Sequence, residues 1–308
     1  MIPSIPYSLF PIPSPKPLRL GVSGSSFIFV MPEELLQAAY WPPIKRFDDR
    51  LNAMMVEFMR DMMRTVNTMD IDALECYHST AWDRDLILDV VMDNPNVEFW
   101  SVHAPYGRYV DISSPDVDDR ERAVQACSDT VETAARLGAK LVVTHPGADI
   151  DYGASKKSQV PLTIDPFRKI ADFAGERGIS IAIEPLPKGE VGNTLGGVLD
   201  IIEMIDRPNV GVNFDVNHLF PPEQIPSMIR QAGSLIGSVH ISDQDGIERH
   251  WMPFLGTMDW REVLRALVEI GYTGPLIYET HIHDVGGCEE VGRPIVENYR
   301  RLIQLAPA

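Results

Sequence analysis

The chain has 308 residues, 44% of them hydrophobic, with a formal net charge of −17. That is enough apolar material for a large core, which excludes a fibrous or disordered chain, and the acidic balance opposes nucleic acid as a partner through long-range repulsion. Three isolated cysteines, Cys76, Cys127 and Cys288, form no CxxC pair and no even framework, so they read as small buried hydrophobes in a reduced, cytoplasmic compartment.

Residues 1–17 are hydrophobic, but prolines at 3, 6, 11, 13, 15 and 17 break any signal-type run and no basic segment precedes them. This stretch is expected to be an irregular arm lying across the body of the protein or against a neighbouring subunit in a homo-oligomer. No segment approaches eighteen uninterrupted apolar residues, so no membrane helix is expected.

From residue 18 onward strand and helix alternate. Leu18 to Ser23 is a short strand, and a helical region from about Pro32 to Asn67 follows, interrupted at Trp41-Pro42-Pro43. Met54, Met55, Met59, Met62 and Met63 recur there at core spacing. Ala73 to Tyr77 is the second strand, Asp83 to Met92 a helix, Asn96 to His103 a strand, and Asp116 to Leu137 a helix stopped by Gly138. Lys140 to His145 is a β-branched run of the kind buried on both faces in a parallel sheet. The pattern repeats with helix 164–177, strand 179–184, helix 195–205, strand 210–214, helix 222–232, strand 235–240, helix 260–270, strand 275–279 and a last helix 289–305. Eight strands and eight helices in strict alternation, in one domain spanning 18–308, are the arithmetic of a (β/α)₈ TIM barrel. No GxGxxG or GxxxxGK[ST] follows the first strand, which disfavours an open doubly wound sheet.

Barrels of this kind place their sites where the strands end. The residues closing them are Glu75, His103, His145, Glu184, Asp215 with His218, His240 and Glu279. Glu184, Asp215, His240 and Glu279 close four successive strands and make an oxygen-rich ring with one imidazole, suited to Mn²⁺, Co²⁺, Mg²⁺ or Zn²⁺. His103, His145, His218, Glu248 and His250 are candidates for further metal ligation or for substrate. In the loop after strand 7, Arg249 and Trp251 are candidate substrate contacts, and Trp251 and Phe254 would either stack on a substrate ring or pack the loop. His281 and His283 form an HxH for which surface position or substrate contact is the expected role, and glycines 192, 196 and 197 are expected to punctuate a loop rather than cradle a phosphate.

Val102-His-Ala-Pro-Tyr106, Thr144-His-Pro-Gly147, Glu184-Pro, Asp215-Val-Asn-His218, His240-Ile-Ser-Asp243, Glu248-Arg-His250, Gly256 to Trp260 and Glu279 together resemble the xylose isomerase-like TIM-barrel superfamily. That superfamily includes sugar and sugar phosphate isomerases and epimerases as well as endonuclease IV. The resemblance implies a small carbohydrate substrate, one divalent ion held by Glu184, Asp215, His240 and Glu279, and an acid–base role for the two glutamates beside a carbonyl. The alternative it carries is an endonuclease IV-like phosphodiesterase with three zinc ions, using His103, His145, His218, Glu248 and His250 as well. Glu248 stands there where aspartate is usual. Against it stand the acidic charge and the lack of Lys/Arg-rich loops after strands 2, 3 and 6. A non-catalytic barrel is a third reading, disfavoured because each ligand position carries a competent side chain.

Overall fold

A strand buried on both faces must find two neighbours, and here each of the eight does. The computed structural model describes residues 18–40, 46–93, 96–148, 150, 152, 156–187 and 191–307. The strands are β1 (Leu20–Ser23), β2 (Ala73–Tyr77), β3 (Glu98–His103), β4 (Leu141–Thr144), β5 (Ser180–Ile183), β6 (Val210–Asp215), β7 (Ile236–Ile241) and β8 (Leu276–Tyr278). All pair in parallel in sequence order, and β8 returns to β1 to close the barrel. Closure is tight: a Cβ on Gly21 would lie 2.4 Å from Ile277 Cδ1, so β1 and β8 meet there only because one of the pair lacks a side chain.

The helices are α1 (Glu33–Tyr40), α2 (Asp49–Thr68), α3 (Arg84–Met92), α4 (Val117–Leu137), α5 (Lys156–Gly175), α6 (Leu195–Ile205), α7 (Ile225–Ala232), α8 (Trp260–Glu269) and α9 (Cys288–Leu302). Aspartates start several of them, since a short carboxylate satisfies first-turn N–H groups: Asp48 accepts from Leu51, Asp116 from Asp118 and Asp259 from Glu262. Gly138 ends α4 at φ 68°, a left-handed position that costs glycine nothing. Met55, Met59, Met62 and Met63 are buried on α2, as their spacing predicts.

The sequence placed the strands and most helices. One difference is α5, which begins at Lys156, eight residues before the expected start, and contains Pro161 and Pro166. Unanticipated too is a 3₁₀ turn at Gly24–Val30, opened by Ser23 Oγ accepting from Ser25 N–H. The proline-rich arm and the interruption at 41–43 lie outside the described residues. Among the described residues no helix is long and apolar enough to cross a membrane.

Two apolar layers result. A large one lies between strands and helices, and a small one of Ala73, Trp100, Leu141, Val143, Ala182 and Ile277 plugs the barrel. Side chains alternate along a strand with period two. Four plug residues therefore put a partner two positions on, one layer nearer the C-terminal face: Glu75 after Ala73, His145 after Val143, Glu184 after Ala182, Glu279 after Ile277. Two register shifts complete the layer, pairing Glu75 with Ser101 and Asp215 with His240.

Candidate active site

Four carboxylates, of Glu184, Asp215, Glu248 and Glu279, and five histidines meet above the plug. The ligand atoms of Glu184, Asp215, His240 and Glu279 all lie within 4.8 Å of one another. His240 Nδ1 faces Glu279 Oε2 at 3.0 Å, Glu184 Oε1 at 3.5 Å and Asp215 Oδ2 at 3.6 Å. Neighbours orient the acids: Asn213 Nδ2 donates to Glu184 Oε2 at 2.9 Å, and Ser25 Oγ to Glu279 Oε1 at 2.9 Å.

Behind this ring sits Glu75, fully buried. Its carboxylate accepts from Ser23 Oγ at 2.9 Å and Ser101 Oγ at 2.7 Å, and it faces His240 Nε2 at 3.1 Å. An imidazole whose Nε2–H is held by a carboxylate presents the Nδ1 lone pair forward, the arrangement in which a histidine binds a metal. Glu75 had been noticed as a strand-end residue, but its role as support for His240 depends on a cross-barrel contact that no local spacing reveals.

Electrostatics point the same way. Burial disfavours charge on Glu184 and Glu279, yet the facing His240 and the other imidazoles hold both carboxyls well below the usual range. Burial raises Asp215. Burial also opposes charge on His218 and His240, but the surrounding carboxylates raise both, His218 to about 10. With Glu75 counted, four buried acids thus surround imidazoles whose protonated form they favour. Asp215 Oδ2 is buried and accepts no hydrogen bond. An orphaned carboxylate oxygen in an acid-rich, low-dielectric ring is the environment a divalent cation satisfies, so the residues fit one.

Two further groups of candidate ligands flank the ring. His103 and His145 share Glu184, and His218 stands with Glu248 and His250. Each of the four imidazoles has Nδ1 against a backbone carbonyl, at 2.8 Å (His103 to Ala104), 3.2 Å (His145 to Glu184), 3.0 Å (His218 to Pro185) and 3.2 Å (His250 to Glu279). Donating there leaves Nε2 to face the cleft. The loop after β7 holds His250 in place through Asp243, whose carboxylate accepts from the N–H groups of Gln244, Phe254 and Met258 and from Trp260 Nε1. His250 itself sits at φ 51°, where its N–H and C=O neighbours fix the turn: Asn217 Oδ1 accepts from Arg249 N–H, and His281 N–H donates to His250 O.

Two expected substrate contacts are displaced. Arg249 is held by both oxygens of Asp245 at 2.9 and 3.1 Å and lies over Trp251 at 4.9 Å; neither lines the cleft, because a bidentate carboxylate turns the guanidinium outward. Phe254 packs under Arg301 and against the core, so it serves the loop. His281 does line the cleft, stacked on His250 at 4.3 Å. Among the described residues neither His281 nor His283 joins a ligand group. Thr194 Oγ1 accepts from Gly197 N–H at 3.1 Å, so the glycine loop caps α6.

Fold and centre together define a closed parallel (β/α)₈ barrel with a carboxylate–histidine centre at the C-terminal ends of its strands. Residues 51–305 match the family model described as xylose isomerase-like TIM barrel. The chain belongs to that family. It is 28% identical over 183 residues to a D-psicose 3-epimerase of Ruminiclostridium cellulolyticum, covering 57% of this chain and 61% of the relative. A probable endonuclease 4 of Acholeplasma laidlawii is 30% identical over 121 residues, 38% of this chain and 40% of that one. A solved D-tagatose 3-epimerase-like protein superposes with a TM-score of 0.68 at 24% identity, covering 93% of this chain and 98% of its own.

Proposed function

We propose that this chain is a divalent-metal-dependent ketose epimerase that moves a proton on the carbon beside a carbonyl. The observation that carries the reading is the pair Glu184 and Glu279, buried carboxylates that burial disfavours but the surrounding imidazoles hold ionised, both facing His240 Nδ1 although β5 and β8 lie three strands apart. An ionised carboxylate kept from water by a closed barrel is a competent base, and two of them flanking one position can remove a proton from one face of a carbon and return it to the other. Glu184, Asp215, His240 and Glu279 would hold the cation. When bound, it supplies Lewis-acid polarisation and compensates charge developing on substrate oxygen. His103, His145, His218 and His250 would offer Nε2 to substrate hydroxyls. Several matching relatives named as ketose 3-epimerases support this reading.

Glu75 enters as a positioning residue. Glu75→Gln is expected to weaken metal affinity by about 10–100-fold with the fold retained, read by competition titration, because the amide holds the His240 N–H less strongly. Unchanged affinity in a folded variant would remove Glu75 from the centre.

A three-ion phosphodiesterase is the second reading, favoured by the two flanking ligand groups. Charge separates the two: at −17 the chain repels a duplex, and salt relieves this only in part. Protein purified without added metal is expected to carry about one ion per chain and to leave abasic DNA intact. About three ions with robust nicking, lost in His145→Ala, would reverse the ranking.

A further inference from the structure

The cleft above the carboxylates encloses about 440 Å³. A hexose has the bulk of about six waters, about 180 Å³ at about 30 Å³ each, so even a hydrated cation beside it leaves room for a second ring. Ring contacts run from Tyr106 through His145, His218, His250 and His281 to Phe29, with successive centroids 4.3, 6.5, 5.4, 4.3 and 5.0 Å apart. The two ends of this belt are its exposed members: Tyr106 is 48% and Phe29 41% exposed, and both line the cleft. Large aromatic faces held toward water at a mouth, braced from behind by other rings, are preorganised surfaces for the apolar face of a flat or ring-shaped ligand. Among the described residues lining the cleft there is no Lys or Arg, while Glu184, Glu248 and Glu279 all line it. A phosphate would find no guanidinium or ammonium donor on this lining, whereas hydroxyls meet imidazoles and carboxylates.

We propose that the substrate is a neutral ketose carrying a second sugar on a hydroxyl away from its carbonyl, with the keto sugar on the carboxylate floor and the second ring at the mouth against Phe29 and Tyr106; this rests on the epimerase reading above. The test uses the full chain loaded with Mn²⁺ and three probes, D-fructose, isomaltulose (fructose glucosylated at O6) and lactulose (fructose galactosylated at O4). It follows deuterium uptake from D₂O by NMR and binding by calorimetry. At least one glycoside is expected to bind about tenfold more tightly than fructose, as stacking of one ring supplies. Phe29→Ala and Tyr106→Ala are each expected to bring the glycoside-to-fructose affinity ratio back toward unity. Exchange with fructose while neither glycoside binds better, or a ratio that both variants leave unchanged, overturns the inference and leaves the epimerase reading standing. Absence of both binding and exchange with all three sugars overturns both.

Discussion

Glu184→Gln and Glu279→Gln are each expected to lower the rate of epimerisation by at least about a thousandfold, in kcat more than in KM, with the chain still folded. Each substitution keeps the size and shape of the side chain, so no new cavity opens beneath the cleft. What changes is basicity: an amide cannot take a proton from carbon. The two variants should also differ from one another. A proton removed from one face still needs only one carboxylate, so one variant is expected to retain exchange of the substrate hydrogen with solvent while failing to deliver the epimer. NMR of the sugar product and of its deuterium content separates these outcomes, and epimerisation that survives largely intact in either variant would contradict a two-base arrangement.

Removing the metal is expected to have the second largest effect. With a cation at a hundredfold its dissociation constant, binding stabilises the folded chain by about 2.7 kcal/mol. For a barrel of this size that corresponds to a Tm lowered by roughly 4 °C on chelation, together with loss of turnover. The buried carboxylates enlarge the effect, because without a cation their mutual repulsion is offset only by the imidazoles around them. Asp215→Asn should reproduce much of the chelation result in one residue, since Oδ2 is the ring oxygen that accepts no hydrogen bond in the folded chain. The variant is expected to fold and to bind Mn²⁺ about 10–100-fold more weakly by titration. A Tm indifferent to chelator would argue that the ring holds no ion.

Much of this was legible in the residues because parallel strands write their burial plainly. A β-branched run such as Leu141 to Thr144, followed at once by His145, fixes both the strand and the layer in which its last side chain lies, since period two allows no other face. Helix α6 was bounded as found, Thr194 and Asp206 marking its ends. Other features depend on contacts across the chain. Glu75 reaches His240 over 165 residues. Asp243 gathers four donors from the loop that follows it, and a sequence shows only an aspartate in a polar stretch. Arg249 and Trp251 were placed at the site by proximity to His250, but Asp245, four residues before Arg249, claims the guanidinium instead. The 3₁₀ turn at Gly24–Val30, which carries Ser25 to Glu279 and Phe29 to the mouth, has no periodicity to betray it.

The central claim is proton transfer by Glu184 and Glu279, and incubation with an accepted ketose in D₂O tests it most directly. The account predicts deuterium at the carbon beside the carbonyl of the epimerised product, appearing at the rate of epimerisation and lost in the Glu184→Gln, Glu279→Gln double variant. Product that forms with its original hydrogen retained would contradict it, and would leave the two glutamates as ligands alone.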